Sequence, residues 1–167
     1  MEFCELVKSR RSCRSYIKSD VLKKDIEEII TCALQAPSWK NSETGRYYVA
    51  INDETIEEVF NCLPDFNQNS SKNAAYIICT FKKGISGNGD DNWGSYDLGL
   101  QNSYLILKAK ELGYDTLIMG LRDETKLRQI FSIPNDEIML PVIAIGKADG
   151  ELVNRPRKAL TEVLKIK

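Results

Sequence analysis

The feature that most constrains the fold is an unbroken apolar run in the middle of the chain. Residues 74–81 read Ala-Ala-Tyr-Ile-Ile-Cys-Thr-Phe and carry no charge. A run of this length is typical of a buried central strand, since a half-buried strand alternates apolar and polar side chains. At 167 residues the chain is long enough to bury such a core without disulfide or metal staples. We therefore expect a single domain over residues 1–167.

A long helix is predicted after this strand. It runs from Trp93 or Ser95 to Leu112, and Gly113 ends it. Its apolar residues occupy more than one face, which is typical of a helix central to the core or to a subunit interface. Helices and strands alternate loosely along the chain, so the fold class is α/β or α+β.

Shorter segments complete the prediction. A first helix is expected over residues 2–9, and a second over the apolar stripe from 26 to 34, which Pro37 ends. A third helix is expected to begin after an N-cap at Asp53 and to end at Pro64, and a fourth to begin after an N-cap at Asp123. Strands are expected over 46–51, 116–119 and 138–146, where Pro141 requires a sheet edge or a β-bulge. Residues 65–73 are polar and are predicted as a loop, as are residues 82–92 with glycines 84, 87 and 89.

The chain contains no histidine, which excludes several kinds of active site. Serine and cysteine nucleophiles paired with histidine, and histidine-rich zinc sites, are ruled out. The net charge of −1 provides no global field for nucleic acid. No apolar run is long enough to span a membrane, and the first residues do not resemble a targeting signal.

Five cysteines, an odd number without a C-x-x-C pair, suit neither a disulfide framework nor a zinc site. Free thiols indicate the cytoplasm. Cys4, Cys32 and Cys79 have apolar neighbours and are predicted as small core residues. Cys13 lies between Arg11 and Arg14, which could lower the pKa of its thiol, although a lone cysteine without a base is more often inert.

Two basic clusters stand out in this near-neutral chain. Arg10-Arg11-Ser12-Cys13-Arg14 places three guanidinium groups and a hydroxyl at the end of the first helix, and Arg155-Pro156-Arg157-Lys158 lies far away in sequence. Together they would suit one phosphate, because guanidinium groups offer paired donors to its oxygens. Alternatively, the first cluster complements the negative end of its helix and the second is a solvated tail.

A third segment, Ala36-Pro37-Ser38-Trp39-Lys40-Asn41-Ser42, follows the second helix. Its backbone groups and its indole could lie along a flat ligand, or it could be an ordinary loop that ends the helix.

Taken in order along nearly the whole chain, these segments resemble the nitroreductase family of FMN-dependent flavoproteins. The resemblance rests on Arg10-Arg11-Ser12-x-Arg14, Ala36-Pro37-Ser38-x-x-Asn41-Ser42, Met119-Gly120 and Arg155-x-Arg157-Lys158. Asp97, Gly99 and Asn102 at the start of the long helix also resemble family positions.

The resemblance implies an α+β fold with a mixed, mainly antiparallel sheet, a long central helix and an intertwined homodimer. Two FMN molecules would lie at the subunit interface. Arg10, Arg11, Ser12, Arg14, Arg155 and Arg157 would hold the phosphate, ribityl chain and pyrimidine edge. Asn67, Met119 and Gly120 would border the ring, and Pro37, Ser38, Trp39 and Asn41 would approach it from the partner subunit.

The implied activity is NAD(P)H-dependent reduction of nitroaromatics, quinones or similar flat acceptors by a ping-pong mechanism. The flavin would carry the chemistry, so no catalytic side chain and no metal are expected. Two alternatives stay open: an FMN-binding carrier or redox sensor without turnover, and a phosphate-binding regulatory domain without flavin.

The chain departs from the family pattern in ways that leave the acceptor open. Glu43-Thr44-Gly45 stands where many members have Gln-Pro-Trp, a basic residue expected near position 70 is absent, and the chain is short. Neither the acceptor nor the choice between NADH and NADPH follows from the sequence.

Overall fold

The computed structural model describes residues 2–85 and 92–167 and has an α+β architecture, which confirms the predicted fold class. The helices are α1 (Phe3–Ser9), α2 (Lys23–Ala33), α3 (Asp53–Phe60), α4 (Asp65–Ser71), α5 (Asn92–Glu111), α6 (Glu124–Phe131) and α7 (Leu160–Val163). The strands are β1 (Tyr16–Ile17), β2 (Gly45–Ala50), β3 (Ala75–Lys82), β4 (Asp115–Met119) and β5 (Glu137–Ala148).

The five strands form one sheet in which every strand pair is antiparallel. β3 pairs with β2 and β5, while β5 also pairs with β4 and, at its end, with β1. A single isolated bridge between Ser12 and Thr116 runs parallel. The long β5 is therefore the strand to which most of the described sheet is attached.

Both faces of β3 are buried, as the apolar run predicts. Residues 75–81 are at most 4% exposed. Side chains alternate between two cores: Ile78 packs with Val59 of α3 and Leu127 of α6, and Ile77 packs with Ile29 of α2 and Leu105 of α5. The predicted central strand is confirmed, and helices cover the sheet on both sides.

The expected irregularity at Pro141 is a β-bulge. The pairing between β3 and β5 shifts register between Ile78 and Thr80, where Leu140 and Pro141 together lie opposite one residue of β3. A bulge tolerates proline because the missing N–H removes no ladder hydrogen bond there.

The loop predicted over 65–73 is wrong, because residues 65–71 form α4. The asparagines and serines of this segment have low helix propensity, so the sequence favours a loop. Tertiary hydrogen bonds reverse that preference: Asn67 donates to the Leu121 carbonyl, Gln68 donates to the Leu63 carbonyl, and the Ser71 hydroxyl is bonded to Tyr76.

Two helix ends also differ from the prediction. Asn52, rather than Asp53, caps α3, because its side chain accepts the N–H three residues further on. The helix ends at Phe60, and Pro64 instead precedes the first turn of α4. The cap predicted at Asp123 is confirmed.

The cysteine predictions are only partly confirmed. Cys79 is fully buried and Cys32 is half-buried, but Cys4 is exposed, because α1 turns it away from the core. Cys13 is also buried, and burial raises the pKa of its thiol. The neighbouring arginines therefore do not activate it.

The long helix α5 is confirmed as a core element. Leu98, Leu105 and Ala109 are buried against the sheet and α2, whereas Trp93 and Tyr96 in the first turns are exposed. The loop predicted over 82–92 is described only at its two ends, since residues 86–91, with Gly87 and Gly89, lie outside the described residues. No helix in the described ranges is both long and apolar enough to cross a membrane.

Candidate functional site

Residues 15–17 near the start of the described chain are hydrogen-bonded to residues 147–149 at the end of β5. Tyr16 of β1 pairs with Ala148 of β5, the N–H of Asp149 donates to the Ser15 carbonyl at 2.9 Å, and the Ser15 hydroxyl donates to the Asp149 carboxylate at 3.3 Å. The segment before β1 and the segment after β5 consequently run past each other.

This juxtaposition brings the two basic clusters around one cavity of about 270 Å³. Its lining residues are Arg10, Arg11, Ser12, Arg14, Val153, Arg155 and Arg157. All six residues that the sequence assigns to phosphate and ribityl recognition lie here.

The cavity is strongly electropositive. No carboxylate lines it, and none of the salt bridges in residues 2–85 and 92–167 involves its arginines. The pKa of Arg10 is lowered by burial, and then by the like charges of Arg157 and Arg11. An anion would relieve this repulsion, since phosphate oxygens accept charge-assisted hydrogen bonds from several guanidinium groups.

The arginines are not equivalent. Arg11 donates through Nε to Asn154 Oδ1 at 3.1 Å and through Nη1 to the carbonyls of Lys8 and Arg10. It therefore caps the end of α1, as the alternative interpretation of the cluster predicts. Arg10 has no such bond among the described residues and keeps its donors for a ligand.

Sequence reasoning missed Asn154, whose Oδ1 accepts the hydrogen bond from Arg11 Nε. Its only signal is its position immediately before the second cluster. An isolated asparagine in a polar tail has no property that distinguishes it without the fold.

Strand β4 connects the cavity to a second group of predicted residues. Cys13 donates its N–H to the Thr116 carbonyl at 3.0 Å, next to the parallel bridge at Ser12. Gly120 follows Met119 at the end of β4, four residues after Thr116. At ~3.3 Å per residue it lies roughly 13 Å from Thr116.

The far end of this strand carries an open backbone and a fixed amide. Asn67 is buried, and its Nδ2 donates to the Leu121 carbonyl at 3.0 Å. Gly120 is exposed, and a Cβ built there would meet no atom within 4 Å. Asn67, Met119 and Gly120 thus lie together, with space beside the Gly120 backbone.

Ile118 is a further residue that the sequence did not single out. Its side chain is 51% exposed and lies between Leu117 and Met119, which point into the core. An exposed isoleucine on a strand offers an apolar surface to a flat ligand. Only the alternation of the strand could have indicated it.

The segment after α2 is held in an unusual conformation. The N–H of Trp39 donates to Asp97 Oδ2 at 2.9 Å, and Asn41 Nδ2 donates to Glu43 Oε1 at 2.8 Å. Lys40, Asn41 and Glu43 have φ values of 47°, 55° and 47°. Left-handed backbone at three non-glycine residues is costly and is often found at functional sites.

Within one chain this segment does not join the arginine cavity. Pro37, Ser38 and Trp39 line a different cavity beside the start of α5, and Asn41 is exposed. Neither of these two cavities is lined by residues of both groups. Within one chain, β4 therefore connects the arginine cavity to Asn67, Met119 and Gly120, whereas the segment after α2 lies apart from the arginine cavity.

The donor set of the arginine cavity suits an anion rather than a metal. Across the residues that the structure describes, no three cysteine, aspartate or glutamate side chains are grouped to hold a metal ion.

Comparisons with known proteins give matches at the level of sequence and of fold. The model of a family described as "Nitroreductase family" matches residues 7–76 and 63–147. The chain is 32% identical to the "Putative NAD(P)H nitroreductase YdgI" of Bacillus subtilis, with 90% of each chain covered.

Solved structures share the fold. A nitroreductase family protein from Streptococcus pneumoniae superposes with a TM-score of 0.86 at 19% identity, over 99% of this chain and 100% of that chain. A "putative nitroreductase in complex with FMN" from Exiguobacterium sibiricum has a TM-score of 0.83 at 23% identity, over 100% and 98% of the two chains.

Proposed function

Because the chain belongs to the nitroreductase family, we propose that it is an FMN-dependent oxidoreductase that takes electrons from NAD(P)H and delivers them to flat acceptors such as nitroaromatics or quinones. The observation that carries this proposal is the convergence of arginines from both ends of the chain on one cavity without a carboxylate.

The residues of the cavity fit the phosphate of FMN. Arg10, Arg155 and Arg157 make no salt bridge with any described residue, so their donors are free for phosphate oxygens. Ser12 adds a hydroxyl at the point where the N-terminal segment meets β4. Arg14 completes the set, since its guanidinium lines the same cavity.

The ring of the cofactor would lie toward the other end of β4. Asn67 and the backbone of Met119 and Gly120 would address its polar edge, and Ile118 would offer an apolar surface. Backbone groups suit this role because they are held by the sheet and cannot change protonation state.

The second wall of the site would come from the partner subunit of a homodimer. Pro37, Ser38, Trp39 and Asn41 lie outside the arginine cavity of their own chain. Their backbone is nevertheless fixed by Asp97 and by left-handed residues, which would prepare the segment to meet a neighbouring subunit.

When bound, FMN supplies the two-electron chemistry, accepting hydride from NAD(P)H in one half-reaction and reducing the acceptor in another. The chain itself would bind and orient the cofactor and shield it from solvent. Cations near the cofactor favour the anionic reduced form, so a protein without histidine can support this reaction.

The test is a spectrum of the purified protein, followed by anaerobic addition of NADH or NADPH. We expect a flavin absorbance that bleaches with one or both nucleotides and returns when a quinone is added. Steady-state rates should give parallel double-reciprocal lines. Absence of flavin uptake on titration with FMN would refute the cofactor. Uptake without reduction by either nucleotide would favour the carrier or sensor.

A further inference from the structure

A second cavity, of about 250 Å³, lies between the start of α5 and the loop after α2. Its helical side consists of Trp93, Tyr96, Asp97 and Leu100, at the spacing i, i+3, i+4 and i+7 that places four side chains on one helix face. The opposite side consists of Pro37, Ser38 and Trp39. We call this cavity the aromatic cleft.

The rings of the cleft present electron-rich surfaces. Trp93 and Tyr96 pack edge to face, with ring centroids 5.8 Å apart and an interplanar angle of 83°. Both side chains are about half exposed, so their faces are accessible within the chain. The Nζ of Lys40 lies 4.7 Å from the Trp39 ring centroid, which shows that this indole already attracts a cation.

Asp97 gives the cleft a negative charge. It is only 2% exposed, and its Oδ2 accepts a hydrogen bond from the N–H of Trp39. No salt bridge in the described ranges neutralises its carboxylate. A buried carboxylate without a cation is costly. A positive ligand placed here would be attracted both by the Asp97 carboxylate and by the aromatic rings.

We propose that the aromatic cleft binds a flat organic cation of the pyridinium or aryl-ammonium class. The rings of Trp39, Trp93 and Tyr96 stack on the ligand, and the Asp97 carboxylate balances its charge. Lys40 lies over the Trp39 ring, and its flexible side chain can leave that ring for solvent.

This inference rests on the proposed function in one respect. If the segment from Pro37 to Asn41 borders the flavin of the partner subunit, an occupant of the cleft is positioned as an electron acceptor. The enzyme would then prefer cationic flat acceptors over neutral ones of the same shape. Binding to the cleft itself requires no flavin.

The test compares N-methylpyridinium with toluene, its neutral isostere, by ligand-observed NMR titration of the full chain at constant ionic strength. We expect the cation to bind about fivefold more tightly or better, the effect of one favourable cation–π contact. Asp97→Asn keeps an acceptor for the Trp39 N–H and removes the charge. It should weaken N-methylpyridinium by about fivefold and leave toluene unchanged.

Two further variants separate recognition from folding. Trp93→Leu removes a half-exposed ring and should weaken both probes. Tyr104→Leu, on the same helix but outside the cleft, should change neither. Equal affinity for the two probes, or an Asp97→Asn protein that binds N-methylpyridinium as tightly as the wild type, would overturn the proposal. A protein that binds N-methylpyridinium but never takes up FMN would refute the proposed function and leave the cleft assignment standing.

Discussion

Arg10 is the residue that we expect to contribute most to anion binding in the arginine cavity. It lies at the end of α1, and its guanidinium is partly desolvated beside Arg157 and Arg11. Arg11 donates three hydrogen bonds, one to Asn154 and two to backbone carbonyls. Two neighbouring arginines thus have different tasks, one toward a ligand and one toward the fold.

Replacing Arg10 by alanine should weaken FMN binding more than replacing Arg11. A charge-assisted phosphate contact contributes about 1.5–3 kcal/mol, so we expect the FMN dissociation constant to rise roughly 10- to 150-fold. Fluorescence titration of apoprotein with FMN measures it. Lys158→Ala is the control, because Lys158 does not line the cavity. An unchanged dissociation constant for Arg10→Ala would argue against the phosphate assignment.

The thiols should differ sharply in reactivity. Cys4 is exposed, whereas burial raises the pKa of Cys13 and Cys62 and so lowers the thiolate fraction at any given pH. With iodoacetamide at pH 8 we expect native protein to be labelled first at Cys4. Peptide mass mapping would locate the label, and all five cysteines should react in urea. Rapid native labelling of Cys13 would contradict the burial described for it.

At the scale of elements, α4 shows where local sequence stops being informative. Periodicity and caps predict α2 and α6, and apolar runs predict α5 and strands β2 to β5, because all of these segments bury apolar side chains. The two-residue strand β1 is not predicted. Helix α4 has no regular apolar face, and side-chain hydrogen bonds to groups outside the helix stabilise it. Asn67 is bonded to Leu121, 54 positions away, while Gln68 and Ser71 are bonded to Leu63 and Tyr76 on either side of the helix. Such partners can be identified only once the sheet exists.

Removing the Tyr76 hydroxyl should loosen α4. That hydroxyl is bonded to both the side chain and the carbonyl of Ser71. We expect Tyr76→Phe to lower the free energy of unfolding by about 1 kcal/mol. The amides of α4 should also exchange faster with solvent. Urea unfolding and hydrogen exchange measure the two effects, and unchanged exchange in α4 would show that other contacts suffice.

The same substitution should alter stability at alkaline pH. Burial raises the pKa of Tyr76 to about 12. The usual value is near 10, so between these limits the native chain holds a proton that the unfolded chain loses. Stability from this group is therefore present below pH 10 and declines as pH rises toward 12. We expect wild-type protein to lose up to about 1.4 kcal/mol per pH unit more than Tyr76→Phe in that window, by urea unfolding.

At the scale of the whole molecule, the candidate site depends on contacts that no local pattern contains. The two basic clusters are visible in the sequence, and their shared chemistry suggests that they converge on one anion. Their actual meeting follows from β1 pairing with the last residues of β5. The position of Asn154 and the exposure of Ile118 follow from the same packing and could not be predicted.

If two subunits build each flavin site, cofactor retention should depend on protein concentration. Dilution should release FMN together with dimer dissociation, because each chain lacks the wall that Pro37, Ser38 and Trp39 supply. Recovery of FMN fluorescence on dilution, alongside sedimentation velocity, measures both events. A flavin-loaded monomer in the ultracentrifuge would contradict a shared site.

The contact between Arg11 and Asn154 has a consequence for the newborn chain. The two residues are 143 positions apart, yet they are joined by a hydrogen bond beside the arginine cavity. During synthesis the N-terminal arginines are therefore made long before Asn154 and the second basic cluster. Closing so long a loop is entropically costly. If the arginine cavity holds the phosphate of FMN as proposed, its affinity arises only after β5 has been translated and β1 has paired with it. Cofactor loading becomes a late, post-translational event that reports completion of the fold.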